Sequence, residues 1–185
     1  MKYTYANCRD HVYYVRRVTG KRGNRFVCSQ KESADDLETL PEGFEIAETP
    51  NGQVSCRKAL VSLIRPEEME LVQILAAKFA SPALIKCERK EDAILVYSAK
   101  TPNLAGLGFP GIKPGVNIRD VWAKILQFQA VLKFELFDQI NRKFAASRMT
   151  WRGDCDWMLL NEGTLESLLK KYAPHIEKDS FYDLF

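Results

Sequence analysis

A chain of 185 residues that is 46% hydrophobic and 28% charged has the composition of a folded globular protein, which excludes a disordered or fibrous one. One compact domain, with room for a small subdomain, is expected at this length, and its core needs no disulfides. The net charge of +3 hides a strong polarity along the chain.

The N-terminus runs straight into charge, without an apolar stretch or a small-residue cleavage site, so no secretory leader is expected. No apolar run approaches the ~20 residues of a spanning helix, and no membrane partner is expected. The five cysteines, Cys8, Cys28, Cys56, Cys87 and Cys155, are odd in number and widely scattered. That is the usage of reduced thiols, and the cytoplasm is the expected location.

Val12–Val18 and Arg25–Ser29 are aromatic and β-branched, and they flank a loop with two glycines and Asn24, which predicts a hairpin. The acidic stretch from Glu32 to Leu40, closed by Pro41, is expected to hold one short helical turn. Phe44–Glu48 and Gln53–Arg57 flank Pro50-Asn51-Gly52, and Asn-Gly supplies the positive φ angles of a tight hairpin turn. Pro66 with Glu67 and Glu68 opens a first helix, whose apolar residues recur from Met69 to Phe79 before Ser81-Pro82 stops it. Ala83–Cys87 and Ala93–Tyr97 read as a third hairpin. A Gly/Pro-rich connector, 101–115, leads to a second helix capped by Asn117 and carrying Ile118, Val121, Trp122, Ile125 and Leu126. Alternation at Leu132, Phe134 and Leu136 then marks a strand, 142–149 its return, and Trp157–Leu160 a further strand. Leu165, Leu168, Leu169 and Tyr172 form a last helix ended by Pro174, followed by a short turn carrying Phe181, Tyr182, Leu184 and Phe185.

This order predicts an α+β fold: an antiparallel sheet built from consecutive β-hairpins, about three main helices, and an N-terminal double-hairpin subdomain. The expected division is 1–60, basic and then acidic, from 61–185, unless all belongs to one compact domain. Residues 118–173 resemble double-stranded-RNA-binding modules in element order only. The basic helix start of those modules is absent here, where Asn161-Glu162-Gly163-Thr164-Leu165-Glu166 stands, and no function is carried over.

Lys2, Arg9, Arg16, Arg17, Lys21, Arg22, Arg25 and Lys31 face one acid, Asp10, before seven acids run from Glu32 to Glu48. Tyr13 and Tyr14 lie in the same block. Cations beside π-faces suit a polyanion with stackable bases. The candidate binding set is therefore Tyr13, Tyr14, Arg16, Arg17, Lys21, Arg22 and Arg25, with nucleic acid or another acidic partner as ligand. The competing reading is a solvated edge hairpin, or internal pairing with the acidic stretch.

Gly106-Leu107-Gly108-Phe109-Pro110-Gly111 matches a dinucleotide fingerprint in letters alone, because Pro110 and Pro114 interrupt the helix it would need. Cys8, His11, Cys28 and Cys56 have no paired spacing, and neither metal nor cofactor is expected. An alternative small-molecule pocket is Trp151, Arg152, Asp154, Asp156 and Trp157, two tryptophans bracketing two carboxylates. A protein–protein adaptor using hairpin edges or the aromatic tail is a further alternative. With only two histidines and no nucleophile signature, the chain reads as a binding protein in preference to an enzyme.

Overall fold

The structure, a computed structural model, describes residues 2–20, 23–79, 84–100, 126–150, 156–181, 183 and 184. Two compact units divide the chain, Met1–Leu60 (unit 1) and Val61–Phe185 (unit 2).

In unit 1, β1 (Thr4–Ala6), β2 (Val12–Gly20) and β3 (Gly23–Ser29) form an antiparallel sheet in that order. β4 (Phe44–Glu48) and β5 (Val54–Lys58) form a two-stranded sheet with Ile46 opposite Cys56. Gly52 lies at φ 77°, the left-handed conformation its turn requires. Strand alternation puts Tyr5, Tyr13, Val15, Arg17, Phe26 and Cys28 on one face of the first sheet. That face meets the β4–β5 sheet: the Phe26 and Phe44 rings lie edge-on at 4.7 Å. Asn7 Nδ2 and Tyr5 Oη donate across the same layer to Gly52 O and Glu48 Oε2, each at 2.6 Å. The helical turn expected between Glu32 and Leu40 does not form. Ala34 and Asp35 make a turn, and Asp36 then bridges Arg16 as an extension of the β1 edge, with Leu37 N donating to Val15 O. A neighbouring strand edge with unpaired carbonyls outcompetes an isolated helical turn, which nucleates poorly.

Unit 2 begins with α1 (Pro66–Phe79). Pro66 takes its first position, and Glu68 Oε2 accepts from Arg65 N at 2.8 Å, the reciprocal arm of a capping box. Then follow β6 (Ile85–Arg89), β7 (Ala93–Lys100), β8 (Gln127–Asp138), β9 (Lys143–Met149), β10 (Trp157–Thr164) and α2 (Leu165–Tyr172). The five strands form one antiparallel sheet in the order β10-β9-β8-β7-β6, so each strand pairs with its neighbours in sequence. Leu132, Phe134, Leu136, Phe144, Ile94 and Val96 pack under Val72 and Ala76 of α1 and Leu168, Leu169 and Tyr172 of α2. A register shift between Val96 and Tyr97 inserts one residue into β8. The shift reverses parity, and Phe128 joins Ala99 and Leu126 in a separate small cluster.

The fold is mixed α+β, with two α-helices among the described residues. The middle helix expected from Asn117 onward falls outside them, as do the Gly106–Gly111 stretch and most of the connector; Leu126, expected to close that helix, directly precedes β8.

Candidate nucleic-acid interface

The seven candidate residues do not share a surface. Consecutive strand residues point to opposite faces, so Arg16 and Arg17 cannot act side by side. Tyr14, Arg16, Val18, Arg25 and Val27 line the outer face, while Tyr13 and Arg17 belong to the face that carries Phe26.

Arg16 is neutralised within unit 1. Its Nε lies 3.0 Å from Asp36 Oδ1, and that carboxylate is fully buried, while 21% of the Arg16 side chain stays exposed. This contact is an ion pair without a well-aimed hydrogen bond. One guanidinium nitrogen also donates to Lys31 O, and Asp36 Oδ2 accepts from Ser33 N at 2.6 Å. Lys2 is similarly paired with Glu32 at 2.7 Å.

Arg17 and Arg25 are exposed, and no ion pair of either is present among the described residues. They occupy successive rungs, Arg17 opposite Phe26 and Val18 opposite Arg25. Beyond them come Thr19–Asn24 and Gly20–Gly23, with Thr19 Oγ1 donating to Asn24 Oδ1 at 3.0 Å. β1 and the Asp36 bridge cover the far edge of β2 only as far as Arg16. Past that point β2 has β3 as its only strand partner among the described residues. Arg17, Thr19, Gly20, Gly23, Asn24 and Arg25 are all exposed. The rungs Thr19–Asn24 and Gly20–Gly23 are therefore exposed at the end of the β2–β3 pair, whereas Phe26, on the Arg17 rung, packs against Phe44. Lys21 and Arg22, in the loop that joins the two strands, lie outside the described residues.

The tyrosines sit at the other end of β2. Tyr13 pairs with Tyr5 and Tyr14 with Thr4, both half-buried, about 20 Å from the ribbon tip at ~3.3 Å per residue. Tyr13 Oη accepts from Gln30 Nε2 at 3.0 Å.

Of the alternative pocket, Trp151, Arg152 and Asp154 lie outside the described residues. Asp156 is exposed, its carbonyl accepting from Thr150 N at 2.8 Å and Thr150 Oγ1 at 3.0 Å. Trp157 is half-buried, with the Lys133 ammonium 5.6 Å from its ring centre. The aromatic tail is partly absorbed: Phe181 belongs to the unit 2 core, Leu184 packs against it, and Arg148 Nε donates to Leu184 O at 2.9 Å. Tyr182 and Phe185 lie outside the described residues.

Among the described residues no three His, Cys, Asp or Glu side chains group as metal ligands, Cys8, His11, Cys28 and Cys56 included. Burial, with a smaller contribution from Cys56, pushes the Cys28 thiol up to about 11, and burial raises Cys56 as well. Both are neutral thiols at physiological pH, which makes them weak nucleophiles and weak ligands. Among the described residues no helix is long and apolar enough to cross a membrane.

Asp36 is the residue the sequence reading missed as a specific partner. In the sequence it is one of seven acids, and nothing local sets it apart. The splitting of Arg16 from Arg17 was available from strand alternation alone. No family model, no curated protein and no solved structure matches this chain.

Proposed function

We propose that this protein is a non-enzymatic nucleic-acid-binding protein whose contact element is the β2–β3 ribbon. The observation that carries the reading is the pair of exposed arginines, Arg17 and Arg25, without carboxylate partners among the described residues, on adjacent rungs near the end of the β2–β3 pair. No acid occurs in the sequence between Asp10 and Glu32, and Lys21 and Arg22 add two cations within that interval. Basic side chains of this kind neutralise phosphates and release counterions, so binding is salt-dependent. Arg16 contributes to the fold of unit 1 instead, and Tyr13 and Tyr14 stand too far from the tip to stack on a base held there.

The test is fluorescence anisotropy of the full chain with labelled nucleic acid across a salt series. Arg17→Glu with Arg25→Glu lowers the slope of log K against log salt by about two phosphate contacts, ~0.9 each on duplex DNA. Circular dichroism is unchanged, because both residues are exposed. An unaltered slope discards the reading, and a salt-sensitive complex with an acidic protein but no nucleic acid replaces it.

A second reading, a subunit of a protein complex, is favoured by the exposed apolar side chains at one end of unit 2. Val61 and Ile140 are 83% and 91% exposed, and Leu63 and Phe137 join them beside the β6–β7 and β8–β9 turns. Leu63 N donates to Glu91 O, and Arg142 to Leu63 O, which brings these turns together. A partner held there survives high salt and is lost from Val61→Lys/Ile140→Lys. Retention by that double variant removes this reading.

A further inference from the structure

We infer that Cys28 and Cys56 form a modification site, closing under oxidation into a reduction-resistant disulfide that fastens β3 to β5 inside unit 1. This stands apart from the nucleic-acid reading and does not depend on it.

Cys28 follows Phe26 by two residues on the same face of β3. Cys56, opposite Ile46, belongs to the face of the β4–β5 sheet that carries Phe44. The Phe26 and Phe44 rings touch at 4.7 Å, so these two faces meet. The backbones of β3 and β5 come within 8 Å of each other. A disulfide joins Cα atoms roughly 4.4–6.8 Å apart, a separation that two strands packed this closely reach with a small shift. Cys56 is also the one titratable neighbour that acts on the Cys28 thiol. Of the other described cysteines, Cys8 is exposed in the turn after β1, and Cys87 lies in unit 2.

Both side chains are half-buried, which leaves them within reach of a small reagent, while burial holds the thiols neutral. A low-molecular-weight disulfide of the glutathione class is the oxidant. One cysteine gives up its proton and attacks a sulfur of the reagent, which forms a mixed disulfide and releases one reagent thiolate. The second cysteine gives up its proton and attacks the protein sulfur of that mixed disulfide. The Cys28–Cys56 bond forms and the other reagent thiolate leaves. The protein has then lost two electrons and two protons, and the reagent has become two thiols. Raised thiol pKa values slow the first attack near neutral pH. They also make each cysteine a poor leaving group in the reverse reaction, so the bond resists reduction once made.

Unit 1 is where such a bond matters. Val15 is its only fully buried apolar side chain among the described residues. A link from Cys28 to Cys56 closes a loop of about 28 residues that runs from one sheet to the other, and this constrains the unfolded chain.

The experiment equilibrates the full chain with reduced and oxidised glutathione at graded ratios, then alkylates and digests it for mass spectrometry. A variant with Cys8→Ser, Cys87→Ala and Cys155→Ser is treated alongside to exclude exchanged partners. Both are expected to yield a Cys28–Cys56 peptide pair, two hydrogens lighter, that persists when reduced glutathione is in excess. Thermal unfolding of unit 1, followed by circular dichroism, moves up by about 10–20 °C on oxidation. Cys28→Ala and Cys56→Ala each abolish the pair and the shift. Four results overturn the inference: glutathione adducts on both cysteines with no joined pair, a pair that forms only in denaturant, a pair lost in excess reduced glutathione, or a pair that leaves the melting unchanged or lower.

Discussion

Two neighbouring arginines on β2 have opposite fates because a strand alternates. Arg16 meets the fully buried carboxylate of Asp36, and Arg17 stays in solvent. Removing one partner of a buried pair costs about 3–5 kcal/mol, and the 21% exposure of Arg16 places Asp36→Asn below that, at about 2 kcal/mol. Faster hydrogen exchange in peptides from residues 2–20, with unit 2 peptides unchanged, is the expected readout. Tyr5 adds a pH dependence. Its hydroxyl donates to Glu48, and that bond, then burial, pushes its pKa up to about 12. The folded state keeps the proton while the unfolded chain loses it near 10, so stability is full below about pH 10 and falls as pH rises toward 12. Tyr5→Phe removes part of that fall in an alkaline denaturation series, and Cys28, raised in the same direction, supplies a remainder. The alternation was legible in the sequence. The identity of the counter-ion was not, since seven acids offered themselves and only the β1-edge extension brings Asp36 to Arg16.

Both helices among the described residues carry explicit end signals. α1 starts at the proline expected of it, and Glu68 reaches back to Arg65 N while Arg142 Nε donates to its other oxygen at 2.8 Å. Thr164 caps α2 by accepting from Ser167 N, so Thr164→Ala costs about 1 kcal/mol in urea unfolding of unit 2. The β4–β5 turn is stricter. A Cβ on Gly52 would stand 3.0 Å from Asn7 Nδ2 and 3.3 Å from Arg9 Cδ, at φ +77°. Gly52→Ala therefore strains the backbone and pushes on the Asn7 bond, with a loss of about 1–2 kcal/mol measured by thermal melting. What local sequence could not supply were features set by pairing. β1 is three residues long and exists because β2 offers it an edge, and β8 runs from Gln127 through a bulge that no periodicity announces. β6 likewise begins at Ile85, where its ladder with β7 places it.

The two units differ in how they are held. Unit 2 owns a broad core drawn from five strands, two helices and the C-terminal segment. Among the described residues of unit 1, Val15 is the only fully buried apolar side chain. A unit of 60 residues buries roughly 60% of its unfolded surface and is marginal by that measure. Its layers depend on the Asn7, Tyr5 and Arg16 contacts more than on apolar volume. All three tryptophans, at 122, 151 and 157, fall in unit 2. Heating is thus expected to lower the far-ultraviolet circular dichroism of strands before tryptophan fluorescence shifts, and coincident transitions would refute the difference in stability. Every rung of β1 to β5 closes within Met1–Leu60. The ribbon's complete framework is therefore synthesised before α1, and at roughly 5–20 residues per second the rest of the chain follows over about ten seconds. For that interval the nascent protein already carries the β2–β3 pair with Arg17 and Arg25, while unit 2, which holds most of its apolar mass, is still being made.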